Sequence, residues 1–216
     1  MSPKQNRLGT ILGIERASNR TYPGSMQRES IDQVISRKLP MSFTLWFTGI
    51  PCSGKSTLAR MAAHELSRRK IQVELLDGNE LRTTLCRDLG FSTADRNENV
   101  SRIGWICSLL ARHGIVTAAA VVSPYREARD AVRKMIPNFI EIYVKAPLAV
   151  CIQRDVKGLY AKALAGEIPH FTGVSDPYEE PIKAEIVLET SRYSAIECTG
   201  SILRWLENAQ LIRRTR

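Results

Sequence analysis

The 216-residue sequence contains no apolar run near the ~20 residues that a bilayer-spanning helix requires, so no membrane segment is expected. Its start carries Lys4, Arg7, Glu15, Arg16 and Arg20 without an apolar h-region, which argues against a secretory signal and for a cytoplasmic protein. Cys52, Cys86, Cys107, Cys151 and Cys198 are scattered, with no C-x-x-C pair. An odd, dispersed set of this kind does not build a disulfide framework or a zinc site. His64, His113 and His170 are too far apart in the chain to suggest a metal cluster. Aromatic residues make up 6%, and no aromatic-basic stacking motif accompanies the net charge of +9. Nucleic acid is therefore not an expected partner, and the basic surplus fits a small anionic ligand or a solvated surface.

What is present suits one domain with one substantial core: 44% hydrophobic and 25% charged residues over 216 positions. Gly49-Ile50-Pro51-Cys52-Ser53-Gly54-Lys55-Ser56, followed by Thr57, reads G-x-x-x-x-G-K-S, the pattern of a phosphate-binding loop. A β-branched and aromatic run, 42–48, precedes it, and a helical pattern, 58–66, follows. Strand, glycine loop and helix thus occur in the order in which backbone N–H groups and a helix dipole can wrap a phosphate. Lys55 is expected to reach the β/γ-phosphates of a nucleotide and the Ser56 hydroxyl to hold Mg²⁺.

Residues 1–25 read as a flexible leader and 26–216 as the single folded domain, with Met26 a possible start, a short helix at 27–38 and a break at Pro40. Further strands are expected at 71–76, 115–122, 139–144 and 186–188. Helices are expected at 80–86, 95–113, from Arg126 to Met135, at 147–154 and at 196–208. The alternation predicts an α/β, doubly wound, parallel five-stranded sheet flanked by helices, of the P-loop NTPase type. Residues 155–183 are rich in Gly, Pro, Lys and aromatics and read as a mobile lid. No N-K-x-D base-reading loop of a GTPase is present, and the chain is short for a motor. A lid that excludes water favours a small-molecule kinase. Asp77, at the carboxyl end of a strand, is placed near the phosphates, where it could orient or deprotonate an acceptor hydroxyl; its plain alternative is a helix N-cap.

Several further blocks occur in one order: Asp77-Gly78 with Arg82, Leu89-Gly90-Phe91-Ser92, Asp95-Arg96-Asn97-Glu98-Asn99, and Ser123-Pro124-Tyr125-Arg126 with Arg129-Asp130. Then follow Gln153-Arg154-Asp155, Lys157-Gly158-Leu159-Tyr160, and Phe171-Thr172-Gly173 with Pro177-Tyr178-Glu179. With the phosphate loop, these make residues 41–190 resemble the adenylylsulfate kinase family. The resemblance implies transfer of the ATP γ-phosphoryl group to the 3′-hydroxyl of adenosine 5′-phosphosulfate, with Mg²⁺ on Ser56 and Asp77 and with Lys55, Asp77 and Ser123 as the reacting machinery. It implies that Gly49 to Thr57 and Arg154 bind ATP. It also implies that Arg82, Arg96 and Asn99 grip the phosphosulfate and ribose, that Phe91 and Phe171 stack on the acceptor adenine, and that Lys157 reaches phosphate oxygens. Ser123 matches a serine proposed in bacterial relatives as a phosphorylated intermediate. In-line transfer needs none, so substrate contact is the preferred role. A homodimer, and an ATP sulfurylase supplying the substrate, follow from the same resemblance. One departure stands out: the family's Asp-Gly-Asp-Asn is Asp77-Gly78-Asn79-Glu80 here. It leaves open a related kinase with another small acceptor; a catalytically weak nucleotide-binding partner is the remaining alternative.

Overall fold

A computed structural model describes residues 42–214; the leader and the helix expected at 27–38 lie outside them. Five strands, β1 (Thr44–Thr48), β2 (Val73–Asp77), β3 (Val116–Ala120), β4 (Phe139–Lys145) and β5 (Ile186–Glu189), form one sheet in the order β2-β3-β1-β4-β5. Every pairing is parallel, with Leu45 opposite both Ala118 and Ile140. The helices among the described residues are α1 (Lys55–Arg68), α2 (Gly78–Thr83), α3 (Thr93–Arg112), α4 (Arg126–Met135), α5 (Leu148–Arg154), α6 (Leu159–Leu164) and α7 (Ala195–Asn208).

Side-chain alternation along β1 sorts the core into two layers. Phe43, Leu45 and Phe47 face α1 and α7 and pack with Leu58, Ala62, Leu66, Ile202 and Leu206. Trp46 faces the other way, into a cluster with Val100, Ile103 and Cys107 of α3 and Val132 of α4. β1 and β3 are buried along their whole length, which is why both read as continuous apolar runs. No helix among the described residues is long and apolar enough to cross a membrane.

Helix starts follow local capping chemistry. Ser92 Oγ accepts from Asp95 N, so α3 begins at Thr93, two residues before the expected Asp95. Ser194 and Glu197 form a reciprocal capping box at α7. Asp77 caps α2, which therefore runs Gly78–Thr83 and not 80–86. The segment 155–183 is not wholly irregular: α6 forms within it. Tyr160 and Ala163 of α6 join Cys151 and Phe171 in a small buried cluster that also contacts Ile50 and Cys52 of the phosphate loop.

Candidate active site

β1 lies between β3 and β4, so the chain leaves its carboxyl end at the point where strand order reverses, the crevice in which open α/β sheets place ligands. Gly49 comes directly after β1. A Cβ there would lie 2.5 Å from the Val144 carbonyl oxygen and 2.8 Å from Ser53 Oγ, so only glycine fits. Gly54, at φ 105°, turns the chain into α1, whose first turn carries no acidic side chain.

The carbonyl groups of loop residues 50–53 all have hydrogen-bond or close polar partners. Ile50 O accepts from Lys55 Nζ at 2.8 Å and from Ser53 N at 3.3 Å, and Pro51 O accepts from the Tyr160 hydroxyl at 3.0 Å. Arg154 Nη1 lies 3.4 Å from both Cys52 O and Ser53 O, and Thr190 Oγ1 donates to Ser53 O at 2.8 Å. With these carbonyl groups taken up, the loop N–H groups other than Ser53 N are left for an anion at the helix N-terminus. Lys55 is 8% exposed, and burial pulls its ammonium pKa down from 10.5 to about 8, with Asp77 among the negative groups that oppose the fall. A poorly solvated cation beside these loop N–H groups is a strong receptor for a polyphosphate.

Asp77 ends β2 on the same side of the sheet. Its Oδ1 accepts from Asn79 N at 2.9 Å and from Asn79 Nδ2 at 3.1 Å. The Asn79 side chain therefore donates to Asp77, where an ionised aspartate side chain has no proton to give. Asp77 Oδ2 takes no hydrogen bond among the described residues, and the half-buried Ser56 hydroxyl on α1 is the second oxygen donor that the loop motif supplies. No group of three or more His, Cys, Asp or Glu side chains suited to a metal occurs among the described residues. A two-oxygen set is what Mg²⁺ uses when nucleotide phosphates and water complete its shell.

The acceptor-side residues come together around one loop. Arg82 donates to Leu89 O at 3.1 Å and Gly90 O at 2.6 Å, and its guanidinium lies 4.8 Å from the centre of the Phe91 ring. Arg96 is 8% exposed; its Nε donates to Phe91 O at 3.0 Å, Nη2 to His170 O, and Asp176 pairs with it at 3.7 Å. It thus ties the 88–92 loop to the segment that carries Phe171. The two phenylalanines, read alike from sequence, differ here. Phe91 is 54% exposed, whereas Phe171 is buried edge-on against Tyr160, with ring centres 5.0 Å apart. Asn99 is buried on α3 with Oδ1 lacking any partner, an acceptor without a donor. Lys157 is exposed between α5 and α6. Ser123 is 1% exposed at φ 39°; its hydroxyl contacts Thr48 Oγ1 at 2.9 Å and Trp46 Nε1 at 3.1 Å.

Sequence reasoning did not single out Tyr160 and Thr190 as loop-holding residues, nor Thr48, Trp46 and Arg129 around Ser123. Arg129, Tyr160 and Tyr178 do fall inside the recurring blocks. Thr190 carries no such signal.

The model of the adenylylsulphate kinase family matches residues 41–189. The chain belongs to the adenylylsulphate kinase family. It is 50% identical over 165 residues to the adenylyl-sulfate kinase of Synechococcus sp. (strain JA-3-3Ab), covering 76% of this chain and 94% of that one. It is 46% identical over 172 residues to a probable bifunctional SAT/APS kinase 2 of Sorangium cellulosum, covering 80% of this chain and 30% of that one. Among solved structures, the Mycobacterium tuberculosis APS kinase in complex with AMPPNP and APS superposes with a TM-score of 0.75 at 41% identity, over 78% of this chain and 99% of that one. Membership of this kinase family and the five-stranded parallel P-loop fold agree with the expectation from sequence.

Proposed function

We propose that this chain transfers the γ-phosphoryl group of ATP to the 3′-hydroxyl of adenosine 5′-phosphosulfate, giving 3′-phosphoadenylylsulfate and ADP. The observation that carries the reading is the loop 50–53, its carbonyl groups partnered and Ile50 O bonded to buried Lys55, in a chain of the adenylylsulphate kinase family. In this reading the loop amides and Lys55 hold the β- and γ-phosphates and stabilise charge on the moving group. Ser56, and Asp77 through water, would hold Mg²⁺, which when bound neutralises charge on the phosphate oxygens. The Asp77 oxygen not taken by Asn79 orients the acceptor hydroxyl and takes its proton. Arg154, which grips both the loop and Thr190, borders the ATP base. On the acceptor side, Phe91 supplies an exposed ring for adenine, and the buried Asn99 acceptor receives a ribose or base donor. Arg82 and Arg96, now on main-chain carbonyls, turn their guanidinium groups to the phosphosulfate. Lys157 and Phe171 approach when the 155–183 segment closes as a lid within the 26–216 domain. Ser123 lines the site without forming a phosphoenzyme. The chain acts in the cytoplasm as a homodimer on substrate made by an ATP sulfurylase.

The acceptor is tested with a panel under Mg-ATP. Turnover should be at least about 100-fold faster with adenosine 5′-phosphosulfate than with AMP, shikimate or gluconate, since a site built to bind charged oxygens rejects analogues that leave its buried polar groups unpaired. Faster turnover of any other acceptor refutes the assignment.

Asp77 has a structural role and a proposed chemical one, and Asp77→Asn separates them. Asparagine is as good an N-cap as aspartate, so α2 should keep its start and Tm should move by less than about 2 °C. Loss of the anionic oxygen should lower kcat by about 100-fold or more. A small loss of kcat with a large drop in Tm would leave Asp77 as a cap only.

A further inference from the structure

Behind the phosphate loop, groups from three separated segments share one hydrogen-bond network. Trp46 Nε1 donates to Ser123 Oγ at 3.1 Å, Ser123 Oγ donates to Thr48 Oγ1 at 2.9 Å, and Thr48 Oγ1 donates to Val122 O at 2.8 Å. Each hydroxyl has one proton. With those of Ser123 and Thr48 already used, the contact of 2.9 Å between Thr48 Oγ1 and the Tyr178 hydroxyl must run from the phenol. Burial pushes the Tyr178 phenol pKa well up, which keeps it a donor. The ring is fixed too: it stacks on Tyr143 at 5.9 Å, with the Arg129 guanidinium 5.7 Å from its centre. Glu179 is pinned beside it, through Glu179 N to Pro124 O at 2.9 Å, Arg129 Nη2 to Glu179 O at 2.6 Å, and Arg126 N to Glu179 Oε2 at 2.8 Å.

Thr48 is the last residue before Gly49, and Ser123 lies just beyond the end of β3. The return of the 155–183 segment is therefore bonded directly to the strand end that launches the phosphate loop and, through Thr48, to Ser123. We propose that Tyr178 is a positioning residue for phosphoryl transfer, its hydroxyl on Thr48 coupling the placement of that segment to the alignment of the phosphate loop. The inference rests on the function proposed above.

Tyr178→Phe is the test, because it keeps the stack on Tyr143 and removes only the donor. The coupling predicts a fall in kcat of about tenfold or more, since small misplacements of a reacting group are costly, with both KM values within about twofold. It also predicts faster hydrogen exchange of the amides of 49–57 in the ATP-bound variant than in the ATP-bound parent. A lowered Tm with kcat retained would reduce Tyr178 to packing and overturn the proposal. So would unchanged exchange at 49–57, whatever happens to kcat. If the parent protein does not phosphorylate adenosine 5′-phosphosulfate, the function reading fails, but the exchange comparison still decides the coupling.

Discussion

Lys55→Met is expected to abolish phosphoryl transfer and at the same time to stabilise the unliganded protein. The rate should fall by about 1,000-fold or more, because the lysine is the cation nearest the loop amides and its charge acts in a poorly solvated site. Stability should move the other way. The ammonium is buried, with its pKa pulled from 10.5 to about 8. Between these values the folded protein has released a proton that the unfolded chain retains, so stability rises with pH across that window. Below pH 8 the full cost of burying the charge is present, roughly 3 kcal/mol from the size of the shift. Ile50 O, which loses Lys55 as a donor, still accepts from Ser53 N and is not orphaned. Chemical denaturation at pH 7 should show the methionine variant more stable, and the difference should vanish above about pH 10.5. ATP should raise the Tm of the parent protein and leave the variant nearly unmoved. A variant less stable than its parent at pH 7 would show that Lys55 holds the empty loop together.

The largest loss of stability is expected at Arg129. It is 2% exposed and spreads three nitrogens over three segments: Nε to Glu141 Oε1 at 2.7 Å, Nη1 to Ser123 O at 2.6 Å and Nη2 to Glu179 O at 2.6 Å. Arg129→Met leaves Glu179 O without that donor, Ser123 O with only the 3.5 Å contact from Thr48 Oγ1, and Glu141, 7% exposed along its side chain, with Arg133 alone at 3.1 Å. Breaking a buried pair by removing one partner costs about 3–5 kcal/mol, so Tm should fall by about 10 °C or more. The double variant Arg129→Met with Glu141→Met should recover part of that loss, because no buried carboxylate is then left uncompensated. Additive losses in the double variant would mean that the carbonyl contacts, and not the charge pair, dominate.

The phosphate loop was legible because its chemistry is local: two glycines at forced backbone positions, a lysine and a serine at fixed spacing, and a strand and helix that declare themselves by periodicity. The groups that hold the loop's carbonyl groups were less so. Arg154 was placed at ATP only by the family resemblance, and Tyr160 and Thr190 reach the loop from sequence separations of 109 and 137 residues, with nothing in their own neighbourhoods to announce the contact. The helix α6 was missed for a related reason. The six residues Leu159–Leu164 are too few to form a helix alone, and Tyr160 and Ala163 are held there by the cluster with Cys151 and Phe171. The two phenylalanines show the same limit. The family resemblance gave Phe91 and Phe171 one role, and burial separates an exposed ring from a packed one.

The central claim concerns which atom receives the phosphoryl group. The direct measurement is phosphorus and proton NMR of the product formed from Mg-ATP and adenosine 5′-phosphosulfate by the purified full chain. The account predicts ADP and a new phosphate monoester coupled to the ribose 3′-proton, with the phosphosulfate intact. ADP and inorganic phosphate with no new phosphate ester, or a phosphate on any other atom, would contradict it.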